Sequence, residues 1–272
     1  MAKTLVTHIN PHLDDIAAVW LFIRFHPDFR DAQIEFVSAA AGNLPVDEME
    51  DKVYLGVGRG KYDEHKGDLD DCAASLVWKD LKAKGFTPKD ETQLGALDEL
   101  VDWVRLEDLG KLKDLPYFEF VVSSFLRING GSDDKPSRKN TELGMEILDR
   151  IFKILINKHK AQKDWEGRKE FETKWGKGVA VVSSYVNRTF CDSKEAVLYL
   201  MYDPKYKSIQ YYSPKEGVDL EPIYQKVKEL DPEAAWFLHQ SHKMVICGSD
   251  SAPDSKPTKL SLEELVEVVK SV

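Results

Sequence analysis

Between Thr4 and Phe25 the chain reads as a strand, a sharp turn and a buried helix, and the turn is crowded with groups that bind cations. Thr4 to Thr7 has the pattern of a short buried strand. Asn10 and Pro11 interrupt it, because proline lacks an N–H and biases the residue before it away from helix. Asp14 or Asp15 is expected to cap a helix whose apolar run, Ile16 to Phe25, suits burial. Two histidines and two aspartates thus fall within eight residues, His8 at the carboxyl end of the strand and His12 in the turn. In an open α/β sheet that end is where ligands bind. His-x3-His-x-Asp can aim His8, His12 and Asp14 at one point, as a divalent cation requires. A plain cap would need only one carboxylate and no histidine.

A chain of 272 residues with 42% hydrophobic and 31% charged residues is an ordinary globular composition, long enough for one large domain or two medium ones. No stretch approaches the roughly 20 apolar residues of a membrane span. The first residues lead directly into a strand, so no leader peptide is expected, and no membrane partner. Cys72, Cys191 and Cys247 are far apart and odd in number, which argues against a disulfide framework or zinc ribbon and for a reducing cytoplasm. The net charge of −9 argues against a protein that coats DNA. It does not exclude a nuclease, whose acidic metal site adds to the negative total.

A second informative stretch follows a strand expected over Lys52 to Gly58. Gly58, Gly60 and Gly67 allow a close bend, and Asp63, Glu64 and His65 sit inside it. The helix that starts near Cys72 has small residues in its first turn, suited either to an anion or to close packing on the sheet. Asp98 and Asp102 stand four apart on a helix expected from Leu94 to Leu109, so they share a face, either solvated or beside a cation. Ser132 to Asn140 is polar and turn-rich, a hinge or lid in expectation, and a long helix follows it to about Lys163. Lys158, Lys160 and Lys163 fit a solvated helix face. Strands alternating with helices in the first half imply a mostly parallel sheet. The second half, with a hairpin turn at Asp203 and a strand pair carrying His239 and His242 at its turn, is more antiparallel. The expected class is α/β: an N-terminal, mostly parallel sheet flanked by helices (1–131), a hinge and linker helix (132–175), and a smaller α+β domain (176–272).

Taken together, these motifs resemble the DHH phosphoesterase superfamily, and within it the melanocyte-proliferating-gene exonuclease branch of metal-dependent hydrolases. The resemblance rests on Thr7-His8-Ile9-Asn10-Pro11-His12-Leu13-Asp14, on the glycine-flanked Tyr62-Asp63-Glu64-His65, and on the helix start Cys72-Ala73-Ala74-Ser75-Leu76-Val77. It continues with the Asp-bearing helix around Asp102 and Glu107-Asp108, with Ser123-Ser124-Phe125-Leu126-Arg127, and with Phe237-Leu238-His239 before Gly248. The motifs keep the family order over most of the chain. Two positions depart from it. Members carry an aspartate that bridges two metals at the end of a middle strand, where this chain has Gly56, and a histidine where it has Glu64.

The resemblance implies a metal-dependent phosphodiesterase, an exonuclease acting on RNA or oligonucleotides, in which His8, His12, Asp14, Asp63, Glu64 and Asp102 hold one or two ions. Mixed imidazole and carboxylate ligands suit Mn²⁺, with Mg²⁺ or Zn²⁺ as alternatives. His65, with Asp63, would be catalytic, His65 contacting the phosphate or acting as an acid. Arg127, His239 and His242 would bind substrate; read without the resemblance, they are a salt-bridge arginine and two exposed turn residues. The missing bridging aspartate leaves a second reading open: a non-catalytic or single-metal protein that binds a nucleotide or nucleic acid. The sequence leaves the oligomeric state open, a homodimer included.

Overall fold

The computed structural model describes residues 3–39, 49–67, 70–112, 121–127 and 134–272, the side chains of Arg127 and Asp134 excepted. The chain is α/β and divides into two compact units, Met1–Ile156 and Asn157–Val272.

In the first unit, β1 (Thr4–His8) is the central strand of a three-stranded parallel sheet, between β2 (Gln33–Val37) and β3 (Lys52–Tyr54). The chain runs from β1 through helix α1 (Leu13–Phe25) to β2 and then crosses to the other side of β1. That reversal places a switch point at the carboxyl end of β1, where loops on either side diverge and leave a crevice. Helix α1 is buried all round from Leu13 to Phe22 and, after Asp14 and Asp15 in its first turn, apolar all round from Ile16. Burying side chains such as Ile16, Leu21 and Phe22 contributes about 1.5–3 kcal/mol each, which fixes the helix and the turn before it. Helices α2 (Ala73–Ala83) and α3 (Glu91–Asp108) pack against α1. A short helix α4 (Val122–Arg127) precedes the long α5 (Asp134–Trp165). The Trp20 indole N–H donates to Asp149 of α5 at 2.7 Å.

Several local expectations change. The third strand stops at Tyr54 rather than Gly58, because Gly56 and Gly58 take left-handed backbone angles (φ +63° and +85°) that turn the chain. Asn10 is also left-handed (φ +56°) rather than extended, and its N–H donates to Ser137 Oγ at 2.9 Å; asparagine tolerates that region better than most residues. Residues 134–140, expected as a hinge, form the first turns of α5, with Ser137 and Asn140 buried. Pro136 fits there because the first helical turn needs no donor from it.

The second unit is a six-stranded mixed sheet in the order β4-β5-β6-β7-β9-β8: β4 (Lys169–Thr173), β5 (Gly176–Val182), β6 (Leu198–Asp203), β7 (Ser208–Tyr212), β8 (Trp236–Leu238) and β9 (Met244–Cys247). Only β5 and β6 run parallel. Alternation along these strands makes two cores. Ala180, Leu198 and Leu200 join helices α7 (Glu221–Leu230) and α8 (Leu262–Lys270) on one face. Val179, Val181, Tyr199 and Met201 join Ala161 of α5 and Cys191 of helix α6 (Arg188–Asp192) on the other. A capping box at Ser261 opens α8, with Glu264 accepting from the Ser261 N–H at 2.8 Å. All three cysteines are free and buried. Among the described residues, no helix is long and apolar enough to cross a membrane.

Candidate metal centre

Two loops converge at the carboxyl end of the parallel sheet, one between β1 and α1 and one after β3. They open a cavity of about 950 Å³ with His8, His12, Asp14, Asp15, Glu64 and Asp108 in its wall. His12, not an aspartate, caps α1. Asp14 and Asp15 occupy its first turn, where the helix dipole favours negative charge. Asp15 accepts from the His12 backbone N–H at 2.9 Å, closing the cap from within.

His8 is held from both sides. Its Nδ1 lies 2.8 Å from the Ile9 carbonyl and its Nε2 lies 2.8 Å from Asp15 Oδ2. Acceptors at both nitrogens favour the doubly protonated ring. Burial opposes that charge, but the Asp15 hydrogen bond and charge outweigh it, and the His8 pKa rises to about 9. An Nδ1–H fixed on a backbone carbonyl is also how a ligating histidine is oriented. The His12 ring stands edge-on to His8, centroids 5.3 Å apart.

Ligand atoms of His8, His12 and Asp15 lie within 4.8 Å of one another, and so do those of His12, Asp14 and Asp108. The two groups share His12. Asp15 therefore joins the site although the motif pattern passed over it, and the reason is a glycine. A Cβ built on Gly56 would lie 1.8 Å from Asp15 Oδ1. The Asp15 carboxylate fills the space a side chain at position 56 would need.

Asp14 is buried, and its Oδ2 accepts from the Ala73 N–H at 3.3 Å. Ser75 Oγ accepts from the Cys72 N–H at 2.9 Å. Two donors at the start of α2 are thus taken, and close packing is the role its small residues play. Burial and the neighbouring charges of Asp15, Asp108 and Glu64 push the Asp14 carboxyl well above the usual range. Partial desolvation and the Asp15 charge raise Asp108 as well. For Glu64, burial and then the charges of Asp15 and Asp63 outweigh a backbone hydrogen bond and His65, giving a pKa of about 7. Its Oε2 is buried with no hydrogen-bond partner among the described residues. A buried polar oxygen of that kind calls for a partner: a proton, a cation or a bound water.

Asp63 is 2% exposed and its carboxylate is committed to the loop. One oxygen accepts from the Arg59 N–H at 2.6 Å; the other accepts from the His65 N–H at 3.0 Å and lies 2.9 Å from His65 Nδ1. Asp63 shapes the loop, and His65, largely exposed, projects from it into the cavity wall.

The structure does not bring Asp102 to this cavity. Asp102 pairs with Arg105 at 2.6 Å on an exposed face, and its companion Asp98 accepts from the Trp78 indole at 2.7 Å. The aspartate that α3 does deliver is Asp108, the last residue of the helix. Its signal was available: a Glu107-Asp108 pair at a helix C-terminus opposes the dipole and asks for a reason. Arg127 closes α4, but its side chain lies outside the described residues. His239 and His242 lie in the second unit, on the turn between β8 and β9. His239 Nδ1 is 2.8 Å from Ser241 Oγ, and His242 Nδ1 is 3.0 Å from Asp219.

The chemistry of the wall is lopsided. Among the described residues, seven carboxylate side chains and a single arginine line the cavity. Two like charges 4 Å apart cost on the order of 4 kcal/mol at the dielectric of a protein surface. Protonation or bound cations must relieve that repulsion, and carboxylates with imidazoles are a ligand set for a divalent ion. Neither the models of known protein families nor the curated proteins include a match to this chain.

Proposed function

We propose that this chain is a divergent DHH-type phosphoesterase that uses divalent metal to hydrolyse phosphodiester bonds in RNA or oligonucleotides. The supporting observation is the pair of ligand groups sharing His12 at the carboxyl end of a parallel sheet. His8, His12 and Asp15 would hold one ion and His12, Asp14 and Asp108 a second, or the five would share one. The free oxygen of Glu64 faces the same need. Mn²⁺ fits this mixture of nitrogen and oxygen donors best, ahead of Mg²⁺ and Zn²⁺. When bound, the ion supplies Lewis acidity that polarises a phosphoryl oxygen and acidifies water.

The carboxylate expected from position 56 is delivered instead by Asp15, from the first turn of α1. The absence of an aspartate at Gly56 therefore does not empty the centre of the site. The residues around it have separate roles. His8, pinned by the Ile9 carbonyl, presents Nε2 inward. Asp63 fixes His65 through Nδ1, which leaves His65 Nε2 to give a proton to the leaving oxygen.

Mn²⁺ titration of metal-free protein, followed by assay on RNA and on short oligonucleotides, tests this reading. Uptake of one or two equivalents, lost in Asp15→Ala, together with cleavage supports it. Uptake without cleavage of any phosphodiester returns the chain to the alternative, a single-metal or non-catalytic nucleotide-binding protein.

A further inference from the structure

Among the described residues, Arg59 is the one arginine or lysine that lines the acidic cavity. A guanidinium beside seven carboxylates would be expected to pair with one of them. Other cations of this unit find carboxylates: Lys79 pairs with Asp71 of the cavity wall, Lys61 with Asp80, and Arg105 with Asp102. Arg59 makes no ion pair among the described residues, and its side chain is exposed.

The backbone beneath it is unusual too. Arg59 sits at φ +51°, the left-handed region, between Gly58 and Gly60. A non-glycine residue is strained in that region. The turn already contains glycines, so a third would have been the relaxed choice. Buried Asp63 holds the strained residue in place by accepting its N–H at 2.6 Å, and the same carboxylate holds His65 with its other oxygen. One buried aspartate thus sets the positions of an arginine and a histidine on the cavity wall.

We propose that Arg59 is the phosphate-binding residue of this cavity, the cation that draws a phosphate-bearing oligonucleotide end toward His65 and the metal ligands. This rests on the metal-dependent reading above, because the carboxylates repel a phosphate until cations neutralise them. Guanidinium chemistry suits that role, since the group stays charged and matches phosphate with paired N–H donors.

The test compares wild type, Arg59→Gly and Arg59→Lys, all loaded with Mn²⁺, for binding of a 5′-phosphorylated dinucleotide with a phosphorothioate linkage. Melting temperature and Mn²⁺ affinity are measured on the same preparations. Arg59→Gly should melt higher, keep Mn²⁺ affinity within about twofold, and bind the dinucleotide about 10- to 100-fold more weakly, the range for a lost charge-assisted bond. Arg59→Lys should retain part of the affinity. A gain in stability with a loss of binding is not the signature of a structural residue. Unchanged dinucleotide binding in Arg59→Gly, or no dinucleotide binding by Mn²⁺-loaded wild type, overturns the proposal and leaves the metal centre standing. Failure of wild type to take up Mn²⁺ overturns the metal reading and this proposal with it.

Discussion

Among the described residues, a cluster in each unit sets histidine among carboxylates, and the two differ in what encloses them. In the second unit His242 lies 3.0 Å from Asp219 and 3.7 Å from Glu221, with all three side chains at least 40% exposed. Water solvates every group there, and an exposed pair of that kind is worth roughly 0–1 kcal/mol. In the first unit Asp14, Asp15 and Asp63 are at most 3% exposed, and Glu64 keeps an oxygen with no partner among the described residues. The residue types are the same, but only the arrangement in the first unit is costly to maintain without a cation. Proximity of ligand-type atoms is therefore a weak criterion; proximity combined with burial and an unmet electrostatic demand is a strong one.

The largest expected effect breaks the comparison at its centre. Asp15→Ala should lower Mn²⁺ affinity beyond the roughly 10- to 100-fold that changes around a ligand cost, while His242→Ala should leave it within twofold. Calorimetric titration of both variants checks this, and equal losses would erase the distinction between the clusters.

Next comes Gly56→Ala, which adds a methyl group where Asp15 Oδ1 already lies and forces alanine into a left-handed backbone. It should destabilise the fold by about 2–4 kcal/mol and weaken Mn²⁺ binding. Gly217→Ala shares the positive φ (+78°) but has nothing within 4 Å, so about 1 kcal/mol of backbone strain is all it should cost. Urea unfolding of both variants separates the displacement of Asp15 from strain alone.

The pH dependence of the metal-free protein sharpens the comparison further. Glu64 titrates near 7 rather than its ordinary 4.5, and His8 near 9 rather than 6.5. Both values are raised by folding, so between these limits the folded state binds more protons than the unfolded chain. The Glu64 contribution is full below pH 4.5 and lost as pH rises through 7; the His8 contribution is full below 6.5 and lost through 9. Stability of the metal-free protein should thus fall as pH rises from about 4.5 to 9, and Glu64→Gln should flatten the lower part of that fall. Urea midpoints measured across this range in chelator would show it; a stability that rises with pH would mean that these groups do not carry the raised values. The smallest effect belongs to Asp102→Ala, whose exposed pair with Arg105 should change stability by under about 1 kcal/mol and Mn²⁺ affinity by less than twofold. Asp108→Ala, by contrast, should weaken Mn²⁺ binding about tenfold or more.

Much of this was legible in the order of residues. The apolar run from Ile16 to Phe25 marks α1, and the turn at Asp203 and the strand pair around His239 and His242 mark antiparallel pairing in the second unit. His8, His12, Asp14, Glu64 and His65 were assigned to one place, and one cavity wall contains them all. What escaped the sequence depends on backbone conformation and distance. Position 56 read as a missing ligand because a glycine cannot announce that a carboxylate from residue 15, far away in sequence, occupies its side-chain space. The resemblance points to Asp102 as the ligand from α3, whereas the aspartate that reaches the cavity is fixed by where the helix ends, at Asp108. The hairpin of β4 with β5 and the short α6 were missed, since charged edge strands and five-residue helices carry little periodicity.

Metal binding with simultaneous proton counting tests the central claim most directly. Calorimetric titration of Mn²⁺ into metal-free protein at about pH 6.5, repeated in buffers of different ionisation enthalpy, gives both stoichiometry and the number of protons released. The account predicts one or two equivalents bound, with close to one proton or more released per protein as the cation replaces those held by His8 and the crowded carboxyls. Binding without proton release would contradict it, because the ion would then be sitting somewhere other than among His8, Asp14, Asp15 and Glu64; so would no binding at all.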